Sequence, residues 1–386
     1  MNIFLAFFQS KVNHKIPAYS FWEYYIKNGI EEAGYNWTEA AVDWAEGLVH
    51  SQNAVELASW KSRTWELTLN EIRKQHKKKP ISLFLSYLYP HQVDEQTIIQ
   101  IKSMGIPCVN FFCDNVREFT KAPKEFSVFD LNWVPEYKAL DMYKNSKYNF
   151  IHLPMPMWVE PQYRYVAATE INEVSFIGSK DIQRTMLFED IVNKNVDLKI
   201  YGAGWLKSEN ELYREAAPKS NYLKTVKNQL DFINRFGLSG YYEKFKQKNS
   251  STPISVNLRT KLHGKLQFDE YIKITQQSVI TLGVNRYPSF RYPLKNPNTY
   301  SRLRDIEAPM LGACYLTEYT QGLEILYDLG NEIETYTNVE EMLAKIDMLK
   351  RDKNKRNELR INGQKRSLNE HSIINSIHKI THHLNI

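Results

Sequence analysis

Glycine, cysteine and long apolar runs are all scarce in this chain of 386 residues, which holds only 15 glycines and 3 cysteines. Cys108, Cys113 and Cys314 are odd in number and sit in apolar, strand-like surroundings. They offer neither a disulfide framework nor a paired-cysteine zinc site, and a reducing, cytoplasmic compartment is expected. No apolar run approaches the roughly 18 residues that a membrane-spanning helix needs. Met1–Phe8 has no basic leader and no small-residue cleavage site, so it reads as a strand. Missing too are GxxxxGK[ST], GxSxG, HExxH and any Asp-x-Asp triplet, which removes P-loop ATPases, α/β-hydrolases, zincins and a metal-chelated diphosphate. His378, His382 and His383 share helical spacing but have no carboxylate or thiol beside them in sequence. They read as a solvated helix face, and no metal site is expected.

What is present is a globular composition, 42% hydrophobic and 24% charged, long enough for two domains. The net charge of +6 suits an anionic small ligand or an acidic surface and does not call for nucleic acid. The run Lys74–Lys79 reads as the solvated end of a charged helix.

Apolar runs of strand length alternate with helical patterns: Ile3–Phe8, Ile81–Tyr87, Pro107–Phe112, Phe129–Val134 and Phe150–Leu153 in the first part. Such alternation predicts βαβ units and a parallel sheet covered on both faces. Pro154, Pro156 and Pro161 then interrupt regular structure. The rhythm resumes with strands at Val174–Ile177, Leu198–Tyr201, Val279–Gly283 and Ala313–Leu316. A break in the last helical stretch is expected at Gly363. The predicted organisation is an α/β chain: a first domain over 1–153, a Pro-rich linker over 154–169, a second domain over 170–370 and a terminal helix over 371–386.

Several strand ends could carry chemistry. Gly178-Ser179-Lys180 follows a strand and precedes a helix containing Arg184. A glycine lets backbone approach a ligand, and amides at a helix start favour phosphate; the same turn occurs in α/β proteins for structural reasons alone. Gly202-Ala203-Gly204 is either a second ligand-facing turn or simply a tight one, and it lacks the third glycine of a dinucleotide fingerprint. Arg302 and Arg304 precede Glu307, which opens a short helical run ending at Gly312. A carboxylate there can accept both hydroxyl protons of a ribose, or merely begin a surface helix. Asp114, just past the strand Val109–Phe112, is a candidate general base or a helix cap. His14, in the loop after the first strand, is a second candidate base, with a surface or packing role as its alternative.

The segments Val174–Ser179 with Arg184, Leu198–Trp205, Arg304–Ala308 with Gly312, Gly330–Tyr336, and Asn362-Gly363 ahead of Glu370-His371 resemble the GT-B glycosyltransferases, most closely the CgeB-like (spore-maturation-protein-like) group. The resemblance covers about the last 210 residues; before that it rests on strand–helix rhythm and on Phe112–Asn115. It implies two Rossmann-like, doubly wound parallel-sheet domains facing across a cleft, with the Pro-rich stretch as hinge. It further implies transfer of a sugar from a nucleotide-diphosphate-sugar co-substrate to a saccharide, lipid or protein acceptor, with no other cofactor and no metal. Glu307 matches the second Glu of the family's E-x7-E signature, which holds the donor ribose; the first would fall at Thr299. Gly178 matches the donor-diphosphate loop, with Ser179, Lys180 and Arg184 beside it, and Gly202 and Gly204 lie near the base in relatives. The first domain is expected to supply the catalytic base, Asp114 first and His14 second. An epimerase or hydrolase on the same fold, or a non-catalytic sugar-nucleotide-binding or coat protein, stands as the alternative.

Overall fold

The computed structural model describes residues 1–7, 18–48, 54–194, 196–206, 222–249, 254–286 and 296–386. They form two compact units, one of Met1–Glu160 with Arg366–Ile386 and one of Pro161–Lys365.

The first unit is built on six parallel strands: β1 (Asn2–Ala6), β2 (Asn36–Glu39), β3 (Leu83–Ser86), β4 (Cys108–Phe111), β5 (Leu131–Val134) and β6 (Phe150–His152), in the order β2-β1-β3-β4-β5-β6. β1, β3, β4 and β5 are buried along their whole length, which is why they read as continuous apolar runs and not as alternating ones. The helix Ala54–Lys78 turns Trp60, Trp65, Leu69 and Ile72 inward and leaves His76, Lys77 and Lys78 in its last turn, where the helix dipole favours cations. The Pro-rich run is packed, with Met157, Trp158 and Val159 buried. The helix Ile373–Leu384 joins this unit: Ile373 N–H donates to Met157 O at 2.9 Å. Gly29 exists for that helix, because a Cβ there would lie 2.0 Å from the Ile373 side chain.

The second unit holds five parallel strands: β7 (Ile171–Ile177), β8 (Leu198–Tyr201), β9 (Ser278–Gly283), β10 (Tyr315–Glu318) and β11 (Glu334–Tyr336), in the order β11-β10-β9-β7-β8. Its core joins Val174 and Phe176 of β7, Leu198 and Ile200 of β8, and Phe188 of the helix Ile182–Val192. The long helix Tyr222–Asn249 is divided at Gly237, where φ is +74°. The expected break at Gly363 is absent: the helix Lys353–Glu370 runs through it. Glycine is needed there for close approach, since a Cβ would lie 2.4 Å from Glu332 O. In each unit strand order reverses once, beside β1 in the first and beside β7 in the second. Parallel sheets bind ligands outside the carboxyl ends of their strands at such points. Among the described residues no helix is long and apolar enough to cross a membrane.

Candidate functional site

In the second unit β7 and β8 are neighbours, so the two glycine turns that follow them meet. Gly178 N–H donates to Tyr201 O and Lys180 N–H to Ala203 O, each at 2.9 Å, and the Trp205 indole donates to Gly178 O at 2.7 Å. Gly202 has φ +137°, and a Cβ on it would come within 2.2 Å of Gly178 O. Both its backbone angle and its neighbour therefore exclude any side chain. Gly204, with φ +85°, completes the second turn.

The helix Ile182–Val192 opens on Asp181, whose carboxylate accepts from Arg184 N–H at 2.8 Å. That cap satisfies one orphan amide of the helix start. The Arg184 guanidinium turns back to donate to Ser179 O at 2.7 Å and lies 3.3 Å from Asp181. Burial lowers its pKa below the usual arginine range; Asp181 opposes that shift, and the cations of Arg302 and Arg304 reinforce it. Three guanidinium groups thus lie within electrostatic reach of one another at this strand end.

The helix carrying Glu307 begins at Arg304, three residues before the expected start, and Glu307 sits inside it. The cause is Asp305, fully buried, which accepts from Arg302 N–H at 3.0 Å, Tyr315 Oη at 2.8 Å and Thr317 Oγ1 at 3.0 Å. Burial raises its pKa, against the pull of those donors. Asp305 so pins the loop to β10 and fixes where the helix can start. Glu307 is 8% exposed, accepts a hydrogen bond from the Tyr271 phenol, and pairs with Arg304 at 3.3 Å. Arg304 also donates to the Tyr271 oxygen and, at 3.3 Å, to Ile177 O at the end of β7. Arg302 donates to Arg286 O at 3.2 Å and stacks over Tyr300 at 4.8 Å; its Nε is buried without a hydrogen-bond partner. Gly312, φ +74°, ends the helix against Tyr165 O.

Gly178, Ser179, Arg184, Arg302, Arg304 and Glu307 are therefore linked around the carboxyl end of β7. Tyr271 and Asp305 hold the cluster; Asp305 falls inside the resembling segment Arg304–Ala308, whereas Tyr271 lies in no motif and could be found only from the fold. Thr299 is bridged to Arg286, whose carbonyl Arg302 holds, and lines a cavity of about 820 Å³ with Arg286, Glu318 and Tyr319.

In the first unit Asp114 follows β4, half-buried, at the cap position of the short turn Asn115–Glu118. Its side chain makes no capping hydrogen bond. Glu136, after β5, takes that role: its Oε2 accepts from Asn115 N–H at 2.6 Å and Val116 N–H at 3.2 Å. The capping alternative for Asp114 is thus filled by another residue. His14 lies outside the described residues. Among those described, no group of three or more His, Cys, Asp or Glu side chains could hold a metal ion.

A family model described as glycosyl transferase-like matches residues 183–381. A search of curated proteins finds no match. Among solved structures, sucrose-phosphate synthase from Thermosynechococcus elongatus is 11% identical, with TM-score 0.59 over 99% of this chain and 98% of its own. A glycosyltransferase from Rickettsia africae is 9% identical, with TM-score 0.57 over 99% and 96%. Anabaena HepE in complex with UDP is 11% identical, with TM-score 0.52 over 100% of both chains. At such identities the likeness is one of fold.

Proposed function

The chain belongs to the glycosyl transferase-like family and has the two parallel-sheet α/β domains of GT-B glycosyltransferases, and from that premise we propose that it moves a sugar from a nucleoside-diphosphate-sugar donor to a saccharide, lipid or protein acceptor. Within the family we place it in the CgeB-like group, acting in the cytoplasm without a further cofactor or metal. One observation carries the reading: Arg184, Arg302, Arg304 and Glu307 gather at a glycine turn on the carboxyl end of β7. A nucleoside diphosphate needs that combination, cations and backbone amides for the phosphates and a carboxylate for the ribose hydroxyls. HepE, similar in fold, was solved with UDP and with UDP-glucose.

As the glycosidic bond breaks, negative charge grows on the departing diphosphate. Guanidinium groups already tied to Ser179 O, Ile177 O and Arg286 O need little reorganisation to stabilise it. Lys180 adds a further cation beside the turn, and the turn of Gly202 and Gly204 lies near the base. Asp114 serves as the base for the acceptor hydroxyl, with His14 the second choice.

Calorimetric titration tests this. Nucleoside diphosphates are expected to bind far more tightly than inorganic phosphate, and Glu307→Ala to weaken them by about 1–3 kcal/mol. Equal affinity for phosphate would point instead to a non-catalytic protein, and unchanged affinity in the variant would remove Glu307 from the site. Free sugar released from the donor without acceptor would identify a hydrolase.

A further inference from the structure

Asp114 is not alone at its strand end. β4 and β5 are adjacent, so the segments that follow them, Cys113–Val116 and Pro135–Glu136, run side by side. Glu136 is 1% exposed; one oxygen is spent on Asn115 and Val116 N–H, and the other, Oε1, is buried without a hydrogen-bond partner. A buried ionised carboxylate with an unsatisfied oxygen is costly, and the neutral acid avoids burying that charge. We propose that Glu136 is the positioning residue of the acceptor-activating site: it fixes the backbone that presents Asp114 and keeps a proton of its own, so that of the two carboxyls only Asp114 is charged. This rests on the reading of Asp114 as the base.

The surroundings agree. Burial first, and the charge of Asp114 second, push the Glu136 carboxyl up to about 8. The ionisable groups packed round it are Asp114 and Cys113 on the β4 side and Tyr143 on the following helix. Tyr87 and Tyr89 follow β3, and burial first, then the charges of Cys113 and Asp114, drive both phenols above their usual range. His152 of β6 and Lys138 of the neighbouring turn are each held toward the neutral form by burial. Tyr143 Oη donates to Asn115 Oδ1 at 2.8 Å, so Asn115 is held from both sides. Two like charges close together in such a place cannot both persist, and the deeper group retains the proton. In the reaction the acceptor hydroxyl proton passes to Asp114 as its oxygen attacks the sugar. Glu136 neither gains nor loses a proton.

Glu136→Ala frees the Asp114 segment and is expected to lower kcat about 10- to 100-fold, with donor KM within about twofold. Glu136→Gln, neutral and of the same shape, is expected to recover most of that loss at neutral pH. A Gln variant as inactive as the Ala variant would overturn the proposal, because a charge would then be required. Infrared difference titration supplies a readout independent of turnover. The protonated-carboxyl band present at pH 7 is expected to vanish with a midpoint near 8, to be absent in Glu136→Gln, and to shift to a lower midpoint in Asp114→Asn. An unmoved midpoint in Asp114→Asn would refute the coupling. A moved midpoint with full transfer by Asp114→Asn would uphold the pair and remove Asp114 as base.

Discussion

Arg302 shares with its neighbour Arg184 a buried Nε that has no hydrogen-bond partner. A donor left in that state fits a site whose phosphate acceptor arrives with the ligand. Arg302→Lys keeps the charge but loses the planar fork. It is expected to reduce nucleoside diphosphate affinity about tenfold while changing nucleoside affinity little, the size of one lost charge-assisted hydrogen bond; isothermal titration with both ligands checks it. At Asp114 the neutral isostere Asn is expected to leave donor affinity intact and abolish transfer, measured as donor binding against product formed. Asp114 was legible in the sequence because an acid just past a strand end stands out. Glu136 was not, because its significance depends on β5 lying next to β4.

Among the elements, the paired turns after β7 and β8 make the site's floor. Gly202→Ala must move Gly178 O and also adopt φ +137°, a region closed to residues with a Cβ. Destabilisation of about 2–4 kcal/mol is expected in urea denaturation. Gly330→Ala is the control, since its φ is +89° but nothing lies within 4 Å of the added carbon; only the backbone term, about 1 kcal/mol, is expected. Strand-end glycines were visible as Gly178, Gly202 and Gly204, but their contact was not, since nothing in spacing says that β8 pairs with β7. The helix start at Arg304 was misjudged for a related reason. Asp305 is polar, yet Tyr315 and Thr317 reach it from β10 and hold it in the core.

For the molecule as a whole, pH reports on the buried acid of the first unit. The Glu136 carboxyl stands at about 8 when folded, against an unfolded value near 4.5. Between those values the native state binds more protons than the unfolded one, so this group makes stability fall as pH rises, by at most about 1.4 kcal/mol per unit. Below about 4.5 and above about 8 its contribution is level. Thermal melts from pH 5 to 9 are expected to show a downward trend that Glu136→Gln lessens; identical trends would place the proton elsewhere. The α/β class and the two-part organisation were determined by the sequence alone, because buried parallel strands must be continuous apolar runs and crossover helices must be amphipathic. Strand-end positions were readable where one residue type has few reasons to occur, as with a glycine or acid just past a strand. Strand order was decided only by tertiary structure. That order sets which strand ends are neighbours, and so brought Arg304 to Ile177, Gly202 to Gly178 and Glu136 to the Asp114 segment through contacts between residues far apart in the chain, which local periodicity does not encode.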